Sequence, residues 1–161
     1  MKVGFGFDSH RLVAGRDLVL AGVHIPFEQG LDGWSDADAV IHAVIDAMCG
    51  AAGLCDIGTL FPPGDERYRG ASSVLLLGVV SGMVRDRHLC LVNADVTIVA
   101  ERPRLAPHVQ GMRNRLASHL NVSCEQVSVK VKSNEGMGFV GRGEGIAAFA
   151  VVLLDDALGL P

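Results

Sequence analysis

The sequence predicts a single α/β domain in which helices cover a mixed β-sheet, and three observations carry that prediction. The chain has 161 residues, enough for one hydrophobic core and too few for two. Segments with the two-residue period of strands lie at both ends and alternate in between with three segments of helical period. The composition is 49% hydrophobic but only 5% aromatic, with 20 glycines, so small aliphatic side chains must fill the core and glycine must shape the connections.

The elements follow in order. Val3-Gly4-Phe5-Gly6-Phe7 alternates large and small, as expected of a strand ending at Asp8. Leu18–Ile25 reads as a second strand closed by Pro26. Ser35 or Asp36 is expected to cap a helix that runs to about Ala52 and stops at Gly53, with Val40, Ile41, Val44, Ile45 and Met48 as its apolar face. A loop rich in Gly, Pro and Asp spans 53–70. A second helix is expected from about Ser72 to Arg87, and a strand over Leu91–Ala100 with Val92, Ala94, Val96 and Ile98 on one side. Pro107 opens a third helix with Val109, Met112, Leu116 and Leu120 as its stripe. Val127–Lys132 is a strand, residues 136–145 form a loop with five glycines, and Ile146–Leu154 is a last strand apolar enough to be buried on both faces. No repeat or linker divides the chain, so residues 1–161 are expected to form one domain.

Several function classes are excluded. Eighteen acidic residues against fourteen basic ones give a net charge of −4, the wrong sign for a nucleic-acid surface. The longest uncharged apolar stretches, Val74–Val84 and Ala147–Leu154, fall well short of the ~20 residues of a membrane span. Asp8 and His10 interrupt any apolar leader. Cys49, Cys55, Cys90 and Cys124 form no Cys-x-x-Cys pair, which suits reduced thiols in a cytoplasmic protein.

Two clusters of residues carry chemistry. In an extended segment Asp8 and His10 point to the same side, about 7 Å apart at Cα, and can converge on one ion. His42 is the candidate third ligand. Asp38, His42 and Asp46 recur every four residues as a polar stripe that turns only about 40° per step. Asp38 or Asp46 could hold the second ring nitrogen of His42. One carboxylate and two imidazoles suit zinc, and three protein ligands leave the fourth position open, as in catalytic sites. On these residues alone, a chance Asp-x-His pair with His42 on a helix surface stays open.

The second cluster ends the strand at Lys130-Val131-Lys132-Ser133-Asn134-Glu135-Gly136. It can bind phosphate through backbone N–H groups, Ser133 and Lys132, with Glu135 as a ligand for Mg²⁺ or Mn²⁺. Arg142 and Glu144 pair with each other or bind an anion. A solvated turn stays open for either segment.

Taken together, FDSH at 7–10, SDADAVIHAVIDAMCGAAGL at 35–54, DIGTLFP at 56–62, DVTIVAERPRLAPH at 95–108 and GMGFVGRGEG at 136–145 closely resemble the 2-C-methyl-D-erythritol 2,4-cyclodiphosphate synthase family. The segments stand in family order and spacing across nearly the whole chain. The resemblance implies a homotrimer of ferredoxin-like subunits with active sites between neighbours. It implies a lyase of non-mevalonate isoprenoid biosynthesis that converts 4-diphosphocytidyl-2-C-methyl-D-erythritol 2-phosphate to the cyclic diphosphate and CMP. It implies zinc on Asp8, His10 and His42, Mg²⁺ or Mn²⁺ at Glu135, and an apolar central cavity able to take an isoprenoid diphosphate. Ala100, Arg104, Leu105, Ala106, Lys132 and Ser133 fall where the family holds the cytidine and its phosphates, and Asp56 and Gly58 where it holds the methylerythritol. Asp8, His10, Trp34, Ser35, Phe61, Glu135, Phe139 and Arg142 complete the implied substrate contacts, with Ser133, Trp34 and Lys132 as the catalytic candidates.

This chain departs from the usual family pattern at three places. Trp34 stands for a phosphate-contacting His, Pro63 and Gly64 for an Asp-Thr pair, and Lys132 for a Thr. Two rival readings follow, a zinc phosphohydrolase and a non-catalytic trimer that binds nucleotides or isoprenoid diphosphates.

Overall fold

The computed structural model describes residues 1–157, so the last four residues of the expected 1–161 domain lie outside the described residues. Its elements are β1 (Lys2–Ala14), β2 (Leu18–Leu20), β3 (Val23–Ile25), β4 (Gln29–Leu31), α1 (Ala39–Ala52), α2 (Ile57–Leu60), α3 (Ser73–Asp86), β5 (Leu89–Val99), α4 (Val109–Leu120), β6 (Val127–Lys132), α5 (Gly138–Gly141) and β7 (Gly145–Asp156), with three one-turn 3₁₀ helices between them. Five strands form a mixed sheet in the order β4-β1-β7-β5-β6. β7 runs antiparallel to both its neighbours, so β1 and β5 are parallel with β7 inserted between them, and β5 and β6 are parallel neighbours joined through α4. This is the split β-α-β arrangement of a ferredoxin-like sandwich.

Helices α1, α3 and α4 cover one face of the sheet. The alternation along β1 buries Gly4, Gly6 and Leu12 on that face and leaves Val3, Phe5 and Phe7 exposed on the other. Glycine is required here by contact: a Cβ on Gly4 would fall 1.8 Å from the Ala47 carbonyl oxygen, and one on Gly6 1.9 Å from that of Ala43. Helix α1 therefore rests directly on β1, backbone to backbone.

The structure corrects several expectations. β1 continues to Ala14, because its later half pairs with β4 as well as β7. Residues 18–25 form a hairpin, broken at Ala21 and Gly22, which both take positive φ (54° and 70°) as a tight two-residue turn requires. Helix α1 begins later than expected. Its cap is Asp38, whose buried carboxylate accepts from Val40 N and Ile41 N (3.1 Å each) and from the hairpin's Ala21 N (2.9 Å) and Gly22 N (2.6 Å). That carboxylate is fully engaged, so it neither joins a polar stripe nor reaches His42. Val92 leaves the apolar row of β5 because the register with β7 shifts between Leu91 and Asn93. From Ile146 to Leu154, β7 is fully buried on one face; on the other Ala147 is buried, Phe149 and Leu153 are partly buried, and Val151 is 42% exposed.

Candidate metal centre and phosphate pocket

The close approach of α1 to β1 builds the metal centre. Asp8 and His10 lie on the same face of β1 as Gly4 and Gly6, and His42 precedes Ala43 on the helix that those glycines admit. The three side chains converge as the spacing predicts, with one ligand atom from each lying within 4.8 Å of the others. Asp8 Oδ2 is 2.9 Å from both His10 Nε2 and His42 Nδ1, and the two nitrogens are 3.2 Å apart.

The outer hydrogen bonds leave these atoms bare. His10 Nδ1 lies 2.6 Å from the Asp32 carbonyl, which only accepts, so Nδ1 carries the hydrogen and Nε2 is free. Ser73 Oγ donates to Asp36, so it accepts from His42 Nε2 at 2.8 Å and His42 Nδ1 is free. Ser35 Oγ stands 3.3 Å from the same Nε2. Three lone-pair atoms thus face one point, an arrangement that repels itself unless a cation occupies it. Protons can take the cation's place: burial raises the Asp8 carboxyl, but when His10 and His42 also carry hydrogens on their ligand nitrogens, the bonds they donate outweigh that effect and hold it well below the carboxylate range. Burial likewise lowers His10, and its bond to Asp8 overcomes this and raises it. The donor set fits a borderline divalent ion such as zinc.

Sequence reasoning missed the Asp36–Ser73 relay. Its parts come from the α1 entry and the start of α3, and no local pattern links them. Asp46, the other expected partner of His42, instead accepts from Ile57 N at 2.8 Å, and burial raises its carboxyl.

Beside the ligands lies a cavity of about 200 Å³ lined by Asp8, His10, Trp34, Ser35, His42, Ile57, Gly58, Phe61, Pro63, Tyr68 and Leu76. The expected residues Trp34, Ser35, Gly58 and Phe61 are therefore gathered beside the candidate metal ligands. Asp56 is not among the lining residues; it caps α2 by accepting from Thr59 N at 2.7 Å. The Trp34 indole N–H donates to the Asp65 carbonyl at 2.8 Å and so is not aimed at the ligands.

Ala100, Arg104, Leu105, Ala106, Lys132 and Ser133 line a second cavity of about 320 Å³ that shares no residue with the first. Ser133 Oγ donates to Glu135, whose φ of 51° is left-handed. Phe139, 42% exposed, and Arg142, ion-paired to Glu144 at 2.6 Å, line neither cavity. A third, larger cavity, about 680 Å³, lies at the far end of the sheet and is lined by none of the expected site residues.

Register explains the separation. Asp8, Ala148, Ile98 and Val131 form one row across β1, β7, β5 and β6, and Ser9, Ala147, Val99 and Lys132 form the next. Adjacent rows point to opposite faces. Lys132 therefore sits at the same end of the sheet as the metal ligands, three strand spacings or roughly 14 Å away, but on the face without helices.

These features define a mixed α/β domain with three residues placed to hold a metal ion, open on one side to a largely apolar cavity. The chain belongs to the YgbB family, whose sequence model matches residues 1–155. It is 56% identical over 156 residues, 97% of this chain and 96% of the relative, to the 2-C-methyl-D-erythritol 2,4-cyclodiphosphate synthase of Moorella thermoacetica. A solved CDP-bound structure of a synthase of that name superposes with a TM-score of 0.88 at 38% identity, covering 96% of this chain and 100% of the other. The bifunctional IspDF of Campylobacter jejuni superposes at 0.93 with 38% identity, covering 98% of this chain but only 43% of that longer one.

Proposed function

We propose that this protein is a 2-C-methyl-D-erythritol 2,4-cyclodiphosphate synthase that works as a single domain in a cytoplasmic homotrimer. The observation that carries the reading is the convergence of three bare ligand atoms from Asp8, His10 and His42 beside a cavity, in a chain 56% identical to a synthase of that name. No helix among the described residues is long and apolar enough to cross a membrane, in keeping with a soluble site of action.

The reaction joins two ends of one molecule. An oxygen of the 2-phosphate attacks the β-phosphorus, a new P–O bond forms, the β-phosphorus–oxygen bond to the α-phosphate breaks, and CMP leaves with the electron pair. A phosphate is already anionic at neutral pH, so no strong base is required. The obstacles are anion–anion repulsion and the entropy of aligning two ends. Zinc held by Asp8, His10 and His42, and Mg²⁺ or Mn²⁺ held by Glu135, would supply charge neutralisation at the phosphates. In this reading Lys132 and Ser133 bind phosphate oxygens. Ala100, Arg104, Leu105 and Ala106 bind the cytidine end. Asp8, His10, Trp34, Ser35, Asp56, Gly58, Phe61, Phe139 and Arg142 enclose the rest.

The separation of the two cavities supports a site shared between copies. Val3, Phe5, Phe7 and Val151 expose an apolar surface, 42–70% accessible each, on the face that carries Lys132. A neighbouring copy covering that surface would bring its metal side to this chain's phosphate side. The same surface would line a central cavity suited to the hydrocarbon of an isoprenoid diphosphate.

Phosphorus NMR of the cytidine diphosphate substrate with purified, metal-loaded protein tests the reading. Cyclic diphosphate plus CMP is the expected outcome. A linear hydrolysis product would make the protein a phosphohydrolase, and unchanged substrate a binding protein.

A further inference from the structure

Residues 61–71 form the outer wall of the metal-side cavity, to which they contribute Phe61, Pro63 and Tyr68. No residue from 53 to 71 is fully buried, and of residues 61–71 only Phe61 and Tyr68 pack against the core, so polar ties carry much of the attachment of this wall. Inside the segment, Asp65 caps a 3₁₀ turn, Arg69 pairs with Glu66, and Tyr68 packs edge-on against Phe61 with ring centres 5.3 Å apart.

The attachments to the rest of the molecule centre on one residue. The Trp34 indole N–H donates to the Asp65 carbonyl (2.8 Å), and the Trp34 carbonyl accepts from Gly70 N (2.8 Å). The Arg69 guanidinium lies over the indole, 4.4 Å from the ring centre. The neighbouring Asp36 N–H donates to the Ala71 carbonyl (3.0 Å).

We infer that Trp34 is a positioning residue: its indole ties the 61–71 segment to the α1 entry and so fixes the wall against which substrate is held beside the metal ligands. A side chain that could only donate to a phosphate would leave this wall untied. The indole spends its single N–H on Asp65 and its face on Arg69. Trp34 and the Pro63–Gly64 stretch are then parts of one unit. This inference rests on the proposed activity only for its kinetic readout.

Hydrogen exchange on the full protein provides the test. Trp34→Phe keeps a ring under Arg69 but loses the N–H, and should speed amide exchange across 65–70 about fivefold, as expected for one lost hydrogen bond. Arg69→Ala should speed the same amides about threefold. It should also make Trp34, the only tryptophan in the chain, more accessible to acrylamide quenching. In turnover, Trp34→Phe should raise KM by a larger factor than it lowers kcat. Unchanged protection of 65–70 in both variants would overturn the inference. So would a fall in kcat at constant KM, because that would give the indole a role at the reacting phosphates. Should the protein form no cyclic product, exchange and quenching still decide the matter, while phosphorus NMR alone decides the activity.

Discussion

The two faces of the five-stranded sheet divide the labour unequally. On the helix face, Asp8, His10 and His42 are partly or fully buried, and the protons on the two imidazoles are set by Asp32 and by the Ser73–Asp36 relay. On the open face, Lys132, Ser133 and Glu135 are exposed, and Ser133 turns to its own neighbour Glu135. A close-packed layer can hold lone pairs aimed at one point within a single chain. An uncovered layer can only present groups for something else to organise. On the proposed shared-site reading, the helix face is a finished site and the open face half of one.

The strongest way to break this contrast is to remove a ligand from the finished side. His42→Ala should abolish stoichiometric zinc, read by elemental analysis, and cut turnover by about 10³-fold or more, as expected when a metal's share of charge stabilisation is lost. The domain should remain folded, since the core of apolar residues does not include the ligand. Full zinc retention would remove His42 from the centre.

Gly6→Ala attacks the same face through its packing. The added methyl would meet the Ala43 carbonyl at 1.9 Å, and helix backbone cannot swing aside as a side chain can. The expected cost is about 3 kcal/mol, seen as a fall in Tm of roughly 10 °C, with weaker metal binding because α1 carries His42. An unchanged Tm would mean that the helix seat on β1 is softer than the contact implies.

How much of this was legible beforehand depends on how local each feature is. Asp8 and His10 share a strand face by the two-residue period, and His42 lies in a helix read from its own apolar spacing, so the ligands could be found. Ser73 and Asp36 are 37 positions apart and meet only once α3 packs beside the α1 entry, so no spacing rule finds them. The hairpin at Ala21-Gly22 was hidden because eight apolar-rich residues read as one strand when the turn is only two residues long. Asp38 was misassigned for a related reason. The sequence offers it as part of a polar stripe and as an imidazole partner, with Ser35 or Asp36 as the cap, and the hairpin N–H groups that help fix Asp38 as the cap instead come from elsewhere in the chain. Trp34 was readable as a departure from the family, but its tie to Asp65 spans 31 positions and shows only in the fold.

Ser73→Ala sharpens the contrast with a smaller effect. The hydroxyl lies one bond beyond the metal ligand, accepting from His42 and donating to Asp36. Without it, the His42 hydrogen can move to the ligand nitrogen. The expected loss of metal affinity is about 10–100-fold. A competing-chelator titration measures it, and Ser73→Thr, which retains the hydroxyl, should recover most of the affinity. Equal affinity in Ser73→Ala would show that Ser35, 3.3 Å from the same nitrogen, is enough on its own.

The smallest expected effect tests the open face most directly. One variant, His42→Ala, lacks the metal side, and another, Arg104→Ala, lacks the nucleotide side; each alone should be inactive or nearly so. If each site takes its metal side from one copy and its phosphate side from the next, random co-refolding of equal amounts gives each site a one-in-two chance of an intact metal side and an independent one-in-two chance of an intact nucleotide side. About a quarter of the sites are then intact, so activity should return to roughly one quarter of the unmodified protein, a fourfold shortfall in place of a near-total loss. A site built within one chain predicts no recovery, because every chain carries one defect. The measurement needs mixed trimers verified by native mass spectrometry, since failure to exchange subunits would also give no activity. With mixing verified, a quarter recovered assigns the open face to a neighbour, and none recovered returns Lys132 and the metal ligands to one chain, against the sheet register that puts them on opposite faces.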